Sequence, residues 1–157
     1  MPLLRDSGVS VVTQPGFLWQ RGERYLQTLS GDEIDHLYRH ASIAAAGINV
    51  VVSSDAPYGP LNPWQVIHAA TERRTREGKI IGAAEGIAAE TALVSYLRQP
   101  HSLTAPPRSI TVGSDADICV LQQPWRGLFD RVADTRVLMT VGNGELIYHA
   151  DAGAQRH

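Results

Sequence analysis

A carboxylate that follows a valine-rich run and a pair of small hydroxyl residues can bind a cation or take a proton from water. Asp55 holds that place, after Ile48-Asn-Val-Val-Val52 and Ser53-Ser54 and before Ala56-Pro57. Apolar runs with little alternation suit parallel strands covered on both faces. α/β folds put their chemistry just beyond the carboxyl ends of such strands. A carboxylate there can serve as ligand to a hard or borderline cation and as acceptor for a proton from cation-bound water. Local sequence also allows a plainer role, in which Asp55 folds the Ala56-Pro57 turn by bonding its own backbone.

The other reactive side chains form weaker patterns. His36 and His40 lie four apart, the spacing of zinc-binding His-Glu-x-x-His helices, but Leu37, Tyr38 and Arg39 lie between them and the glutamate is missing. They read as surface histidines on the polar side of a helix. His68, His101, His149 and His157 are isolated. Ser53 and Ser54 lack a Gly-x-Ser-x-Gly elbow and read as hydroxyls that bond strand-end backbone. Cys119, between Ile118 and Val120, reads as packed in a strand. Arg73, Arg74 and Arg76 read as a solvated helix end, where cations offset the dipole. No phosphate loop or dinucleotide fingerprint is present.

The elements that must position these residues begin with Val9-Ser-Val-Val-Thr13, a strand-like run stopped by Gln14-Pro15-Gly16. A helix is expected from about Asp32 to Ala46, with Ser30 and Glu33 as a capping box and Gly47 as the stop. The second run, Ile48–Val52, then completes a βαβ unit. Asn62-Pro63 predicts a helix start, running to about Arg76, and Ala88–Arg98 a shorter helix. The proline-bearing stretch from Gln99 to Arg108 reads as an exposed loop. Beyond it, Asp117–Leu121 and Val137–Tyr148 read as strands, with Gly142-Asn143-Gly144 as a hairpin turn. Two parallel strands alone leave open edges, so a partner or a larger protein is expected to complete the sheet.

The 157 residues are 43% apolar and 19% charged, with 14 basic against 16 acidic side chains and a formal net charge of −2. That composition argues against disorder or a disulfide scaffold, and the near-neutral balance against a nucleic-acid partner. A single cysteine permits no internal disulfide and fits a reducing compartment. No apolar run reaches a transmembrane length and Met1–Ser10 lacks a signal-peptide layout, so a cytoplasmic protein is expected.

Ser53-Ser-Asp-Ala-Pro-Tyr-Gly-Pro-Leu-Asn-Pro-Trp64 resembles the C-terminal part of metal-dependent amidohydrolases, in particular the amidohydrolase family 3 type. Supporting blocks keep the family's order. Val12-Thr-Gln-Pro-Gly-Phe17 resembles the segment at the seventh barrel strand, and Ala41–Gly47 the stretch before the eighth. Ala89-Glu-Thr-Ala-Leu93 resembles the helix that follows the barrel. Val112-Gly-Ser-Asp-Ala-Asp-Ile-Cys-Val-Leu121 and Thr140–Tyr148 resemble the closing strand and hairpin. The resemblance implies an α/β chain holding the last two β/α units of a TIM-type (β/α)8 barrel over residues 1–98, then part of a small antiparallel β-sandwich over 99–157.

It also implies hydrolysis of non-peptide C–N bonds in amides or cyclic amides, using a divalent metal, zinc in the first instance. Asp55 would bind metal and accept the proton of the attacking water; Gln14 and Tyr58 are placed near a small-molecule amide substrate only because they flank strand ends. The family's His-x-His pair, its bridging carboxylate or carboxylated lysine and two later histidines have no counterpart here, and Lys79 lies too late to supply one. The chain is therefore expected to start after the sixth strand and to be inactive without the N-terminal portion. Two rivals remain. One is a non-catalytic remnant or assembly subunit that pairs its strand edges with another chain. The other is an unrelated α/β binding module in which Asp55 is a turn residue.

Overall fold

A computed structural model describes residues 1–99 and 101–150; the isolated His157 lies outside them. The chain divides into two compact units, Met1–Arg108 and Ser109 onward.

In the first unit a short helix α1 (Pro2–Asp6) precedes β1 (Val11–Thr13), α2 (Gly16–Thr28), α3 (Gly31–Asp35), α4 (Ala41–Ala45), β2 (Val50–Val52), α5 (Pro63–Glu72) and α6 (Ala89–Tyr96). β1 and β2 pair in parallel with Val11 opposite Val50, Val12 opposite Val51 and Thr13 opposite Val52. Among the described residues this parallel sheet has those two strands. α5 packs against α2, α6 and β2. Its inward stripe of Trp64, Val66, Ile67, Ala69 and Ala70 is buried together with Leu18, Val51, Val52, Ile81 and Ala92. Each large member removed from water contributes about 1.5–3 kcal/mol. Asn62 caps α5 as its type predicts, its Oδ1 accepting from the Trp64 N–H at 3.0 Å.

Three expectations need correction here. The helix expected over Asp32–Ala46 is two short ones, α3 and α4, separated by a turn in which Tyr38 adopts φ +46°. The capping box of Ser30 and Glu33 is present, so the start was legible and the break was not. α5 stops at Glu72, because Arg73 turns left-handed with φ +50°. The residues beyond it form a tight hairpin in which Thr75 N donates to Lys79 O and Ile81 N to Arg73 O, both at 2.9 Å. The third correction is α2, which the Gln14-Pro15-Gly16 punctuation conceals. Its Gly22 lets that hairpin lie close, since a Cβ there would collide with the Thr75 side chain.

The second unit is an antiparallel meander of β3 (Ile118–Leu121), β4 (Val137–Gly142) and β5 (Glu145–His149). Asn143 (φ +50°) and Gly144 (φ +80°) make the hairpin turn, both in the left-handed region that a type I′ turn requires. Asp117 Oδ1 accepts from Asn143 N at 2.8 Å and fixes the turn to β3. A 3-10 segment, Leu128–Asp134, supplies the buried Leu128 and Val132. Cys119 is exposed, not packed as expected, as the one exposed position of β3. Among the described residues no helix is long and apolar enough to cross a membrane.

Candidate functional site

The parallel register brings the carboxyl ends of β1 and β2 side by side. Ser53 N donates to Thr13 O at 2.9 Å, so Gln14 and the Ser53–Asp55 segment leave the sheet at the same edge. Asp55 takes φ +54°, a conformation that Asp tolerates better than most residues. Its backbone carbonyl accepts from Tyr58 N at 2.9 Å and Gly59 N at 3.0 Å. Ser54 Oγ accepts from Ala56 N at 3.3 Å, the strand-end role expected of that hydroxyl. Gly59 is required here, because a Cβ would run into the Ser54 carbonyl oxygen.

The turn is thus closed by the Asp55 backbone and the Ser54 hydroxyl. Among the described residues the Asp55 carboxylate makes no hydrogen bond and it is exposed. The plainer role, a side chain folding its own turn, does not describe it. Gln14 is half-buried, and its carbonyl accepts from Phe17 N at 3.2 Å to start α2. Tyr58 lies in the Asp55 turn with 72% of its surface exposed.

An aromatic group that sequence patterning did not single out packs at this edge. The Phe17 ring lies 6.0 Å from that of Tyr38, with the Arg21 guanidinium 4.4 Å over its face. The Tyr38 and Tyr25 hydroxyls are 2.8 Å apart. Burial, then the bond to Tyr25, and more weakly the negative charge of Asp55, push the Tyr38 phenol well above its ordinary pKa. Tyr38 sits in the turn between α3 and α4 with φ +46°.

Behind it lies a buried polar cluster. Arg73 is 1% exposed and is not the solvated helix end its neighbours suggest. It donates to the carbonyls of Leu37 at 2.7 Å, Ile81 at 2.8 Å and Tyr38 at 3.2 Å. Glu85, also buried, accepts from the backbone N–H groups of His40 at 3.0 Å and Ser42 at 2.9 Å. It thereby caps α4 from a remote segment, and Arg39 Nε reaches its other oxygen at 3.3 Å. Burial raises the Glu85 carboxyl pKa, but the bonds from Ser42, His40 and Arg39 outweigh that and leave it below its ordinary value.

His36 and His40 are not brought together. His36 ends α3 in solvent, whereas His40 is buried, and among the described residues its Nδ1 has no hydrogen-bond partner. The expectation of two surface histidines fails for His40 because the helix breaks between them. Burial lowers the His40 pKa, Glu85 opposes and Arg73 adds to the depression. Among the described residues no group of three or more His, Cys, Asp or Glu side chains is gathered to hold a metal ion. Asp55 therefore offers one carboxylate, and the residues present do not make up a metal centre.

The Amidohydrolase family model matches residues 2–148. An N-substituted formamide deformylase of Arthrobacter pascens is 28% identical over 151 residues, covering 92% of this chain and 28% of that protein. The chain thus spans less than a third of the length of this curated relative. No solved structure matches.

Proposed function

The chain belongs to the amidohydrolase family, and on that premise we propose that it forms part of a hydrolase that cleaves non-peptide C–N bonds in small amides. The relative's name supports N-substituted formamides as the first substrates to examine. In this reading the parallel pair with its helices contributes the last two β/α units of an eight-stranded barrel, and the antiparallel meander contributes part of a sandwich. The relative's far greater length supports an active protein that holds more polypeptide than these 157 residues. The lone exposed Cys119 favours a reducing, cytoplasmic setting.

One observation carries the assignment. The Asp55 carboxylate stands at the carboxyl end of a valine-rich parallel strand, exposed and unused by its own turn. From that place it accepts a proton from the water that adds to the amide carbonyl carbon and passes it to the nitrogen as the C–N bond breaks, so that the carboxylic acid and the amine depart and Asp55 is again a carboxylate. The family's divalent metal, zinc in the first instance, would draw on Asp55 as one ligand. Its remaining ligands are not gathered among the described residues. Gln14 and Tyr58, flanking the same edge, would line the substrate.

Metal analysis tests the reading. The purified chain is expected to carry well under one equivalent of zinc, and to share in a full site only with polypeptide that supplies a His-x-His strand. Tight binding of a full equivalent by the chain alone, unchanged by Asp55→Ala, would overturn the assignment. The edges of β1 and β2 also suit a non-catalytic assembly subunit, which predicts a defined oligomer and no hydrolysis in any combination.

A further inference from the structure

Backbone groups alternate along a parallel strand, and the ladder fixes which of them face outward. Val11 N donates to Asn49 O at 2.8 Å and Ser53 N to Thr13 O at 2.9 Å, so the odd-numbered residues of β2 bond β1. The N–H and C=O groups of Val50 and Val52 therefore point to the far side of β2, and those of Val12 to the far side of β1. Unpaired rows of this kind invite another strand.

The two far sides are not alike. On the β2 side, Val52 N donates to Ser95 Oγ at 3.0 Å. Ser95 belongs to α6, which packs against β2, and its hydroxyl oxygen takes the place of the carbonyl that a neighbouring strand would offer. At the other end of β2, Asn49 Nδ2 donates to Leu103 O at 3.4 Å. Arg98, just past α6, holds Leu103 O at 2.8 Å and Ala105 O at 2.9 Å through Nη1, which fastens the following segment to the helix end. On the β1 side Val12 is 43% exposed, and among the described residues its outward backbone groups have no such partner.

We infer that Ser95 is an edge guard: with α6 it closes the far side of β2 against pairing with the same edge of a second copy of this chain. Covering an edge with a helix is one way in which proteins avoid edge-to-edge association. The inference goes beyond the functional reading and does not depend on it. Polypeptide that completes the sheet on this side must first displace Ser95.

The test is sedimentation velocity of the 157-residue chain as wild type, Ser95→Ala, Ser95→Thr, and Ser95→Ala combined with Val50→Pro. The edges of the antiparallel unit are the same in all four and drop out of the comparison. Alanine favours helix more than serine does, so Ser95→Ala leaves α6 intact and frees the Val52 N–H. Its dissociation constant for self-association should fall by about 2- to 12-fold for each neutral hydrogen bond that pairing no longer has to break. Ser95→Thr keeps the hydroxyl and should match wild type. Val50→Pro removes an outward N–H and spares the bonds to β1, as proline on an edge strand does, so the double variant should return to the wild-type profile. By amide exchange in dilute solution, Val52 should exchange about 2- to 12-fold faster in Ser95→Ala, whereas Val51, which faces β1, should not change. The inference fails if Ser95→Ala sediments as wild type does, or if its association survives Val50→Pro. It fails also if the Val52 amide stays as protected in Ser95→Ala as in the wild type.

Discussion

The two units of the chain are held together by different means. In Met1–Arg108 a parallel pair and its helices enclose a buried apolar layer, and a second buried layer of charge ties distant segments together through Arg73 and Glu85. In the unit from Ser109 onward the sheet is held by its ladder and one hairpin turn, with Leu128, Val132 and Thr135 buried beside it. Leu146, Ile147 and Tyr148 on β5 remain exposed. The first unit is specified by long-range contacts and the second by local backbone chemistry. Substitutions should therefore damage the two in different degrees.

The largest effect is expected from Arg73→Met. It strands the carbonyls of Ile81, Tyr38 and Leu37, at about 1–3 kcal/mol for each polar group left buried without a partner. Chemical denaturation should register that loss. Hydrogen exchange should place it in the first unit, with the β4–β5 amides unaffected. Ile67→Ala, a cavity in the apolar layer, should cost about 2–5 kcal/mol by the same measurement.

Acid provides a smaller probe of the first unit. Burial holds the His40 pKa below its value in the unfolded chain, so the unfolded state binds more protons in that window. Stability should fall as pH drops below the ordinary histidine value of about 6.5, and His40→Gln should flatten that part of the profile. A second loss should follow at lower pH as the Glu85 carboxylate, held below its ordinary value, is protonated. The smallest effect is expected from Gly144→Ala in the second unit. With φ +80° the added Cβ costs roughly 1–2 kcal/mol, read as a fall in the melting temperature of the hairpin alone.

Legibility in the sequence followed the reach of each contact and not the unit it lies in. The hairpin at Asn143-Gly144, the capping box at Ser30 and Glu33 and the Asn62 cap each rest on residues a few positions apart, and each was visible as a pattern. Arg73 and Glu85 were not, because their partners lie in remote segments of the chain. A buried arginine beside two exposed ones carries no local mark. The break between α3 and α4 was hidden for the same reason, since what fixes Tyr38 in its turn is a guanidinium from α5's far end. That Asp55 follows a valine-rich strand was legible by position. Its freedom from the turn it occupies carries no local mark, because the turn is closed by the Ser54 hydroxyl and the Asp55 backbone.

The central claim is that the Asp55 carboxylate belongs to the reaction and not to the fold. Its most direct test is the rate of N-substituted formamide hydrolysis by this chain combined with polypeptide that supplies a His-x-His strand, wild type against Asp55→Asn. The account predicts a loss of about 10²- to 10⁴-fold, the range expected for a general base, with the melting temperature unchanged. A variant that hydrolyses at the wild-type rate, or one that loses activity only because it unfolds, would contradict it.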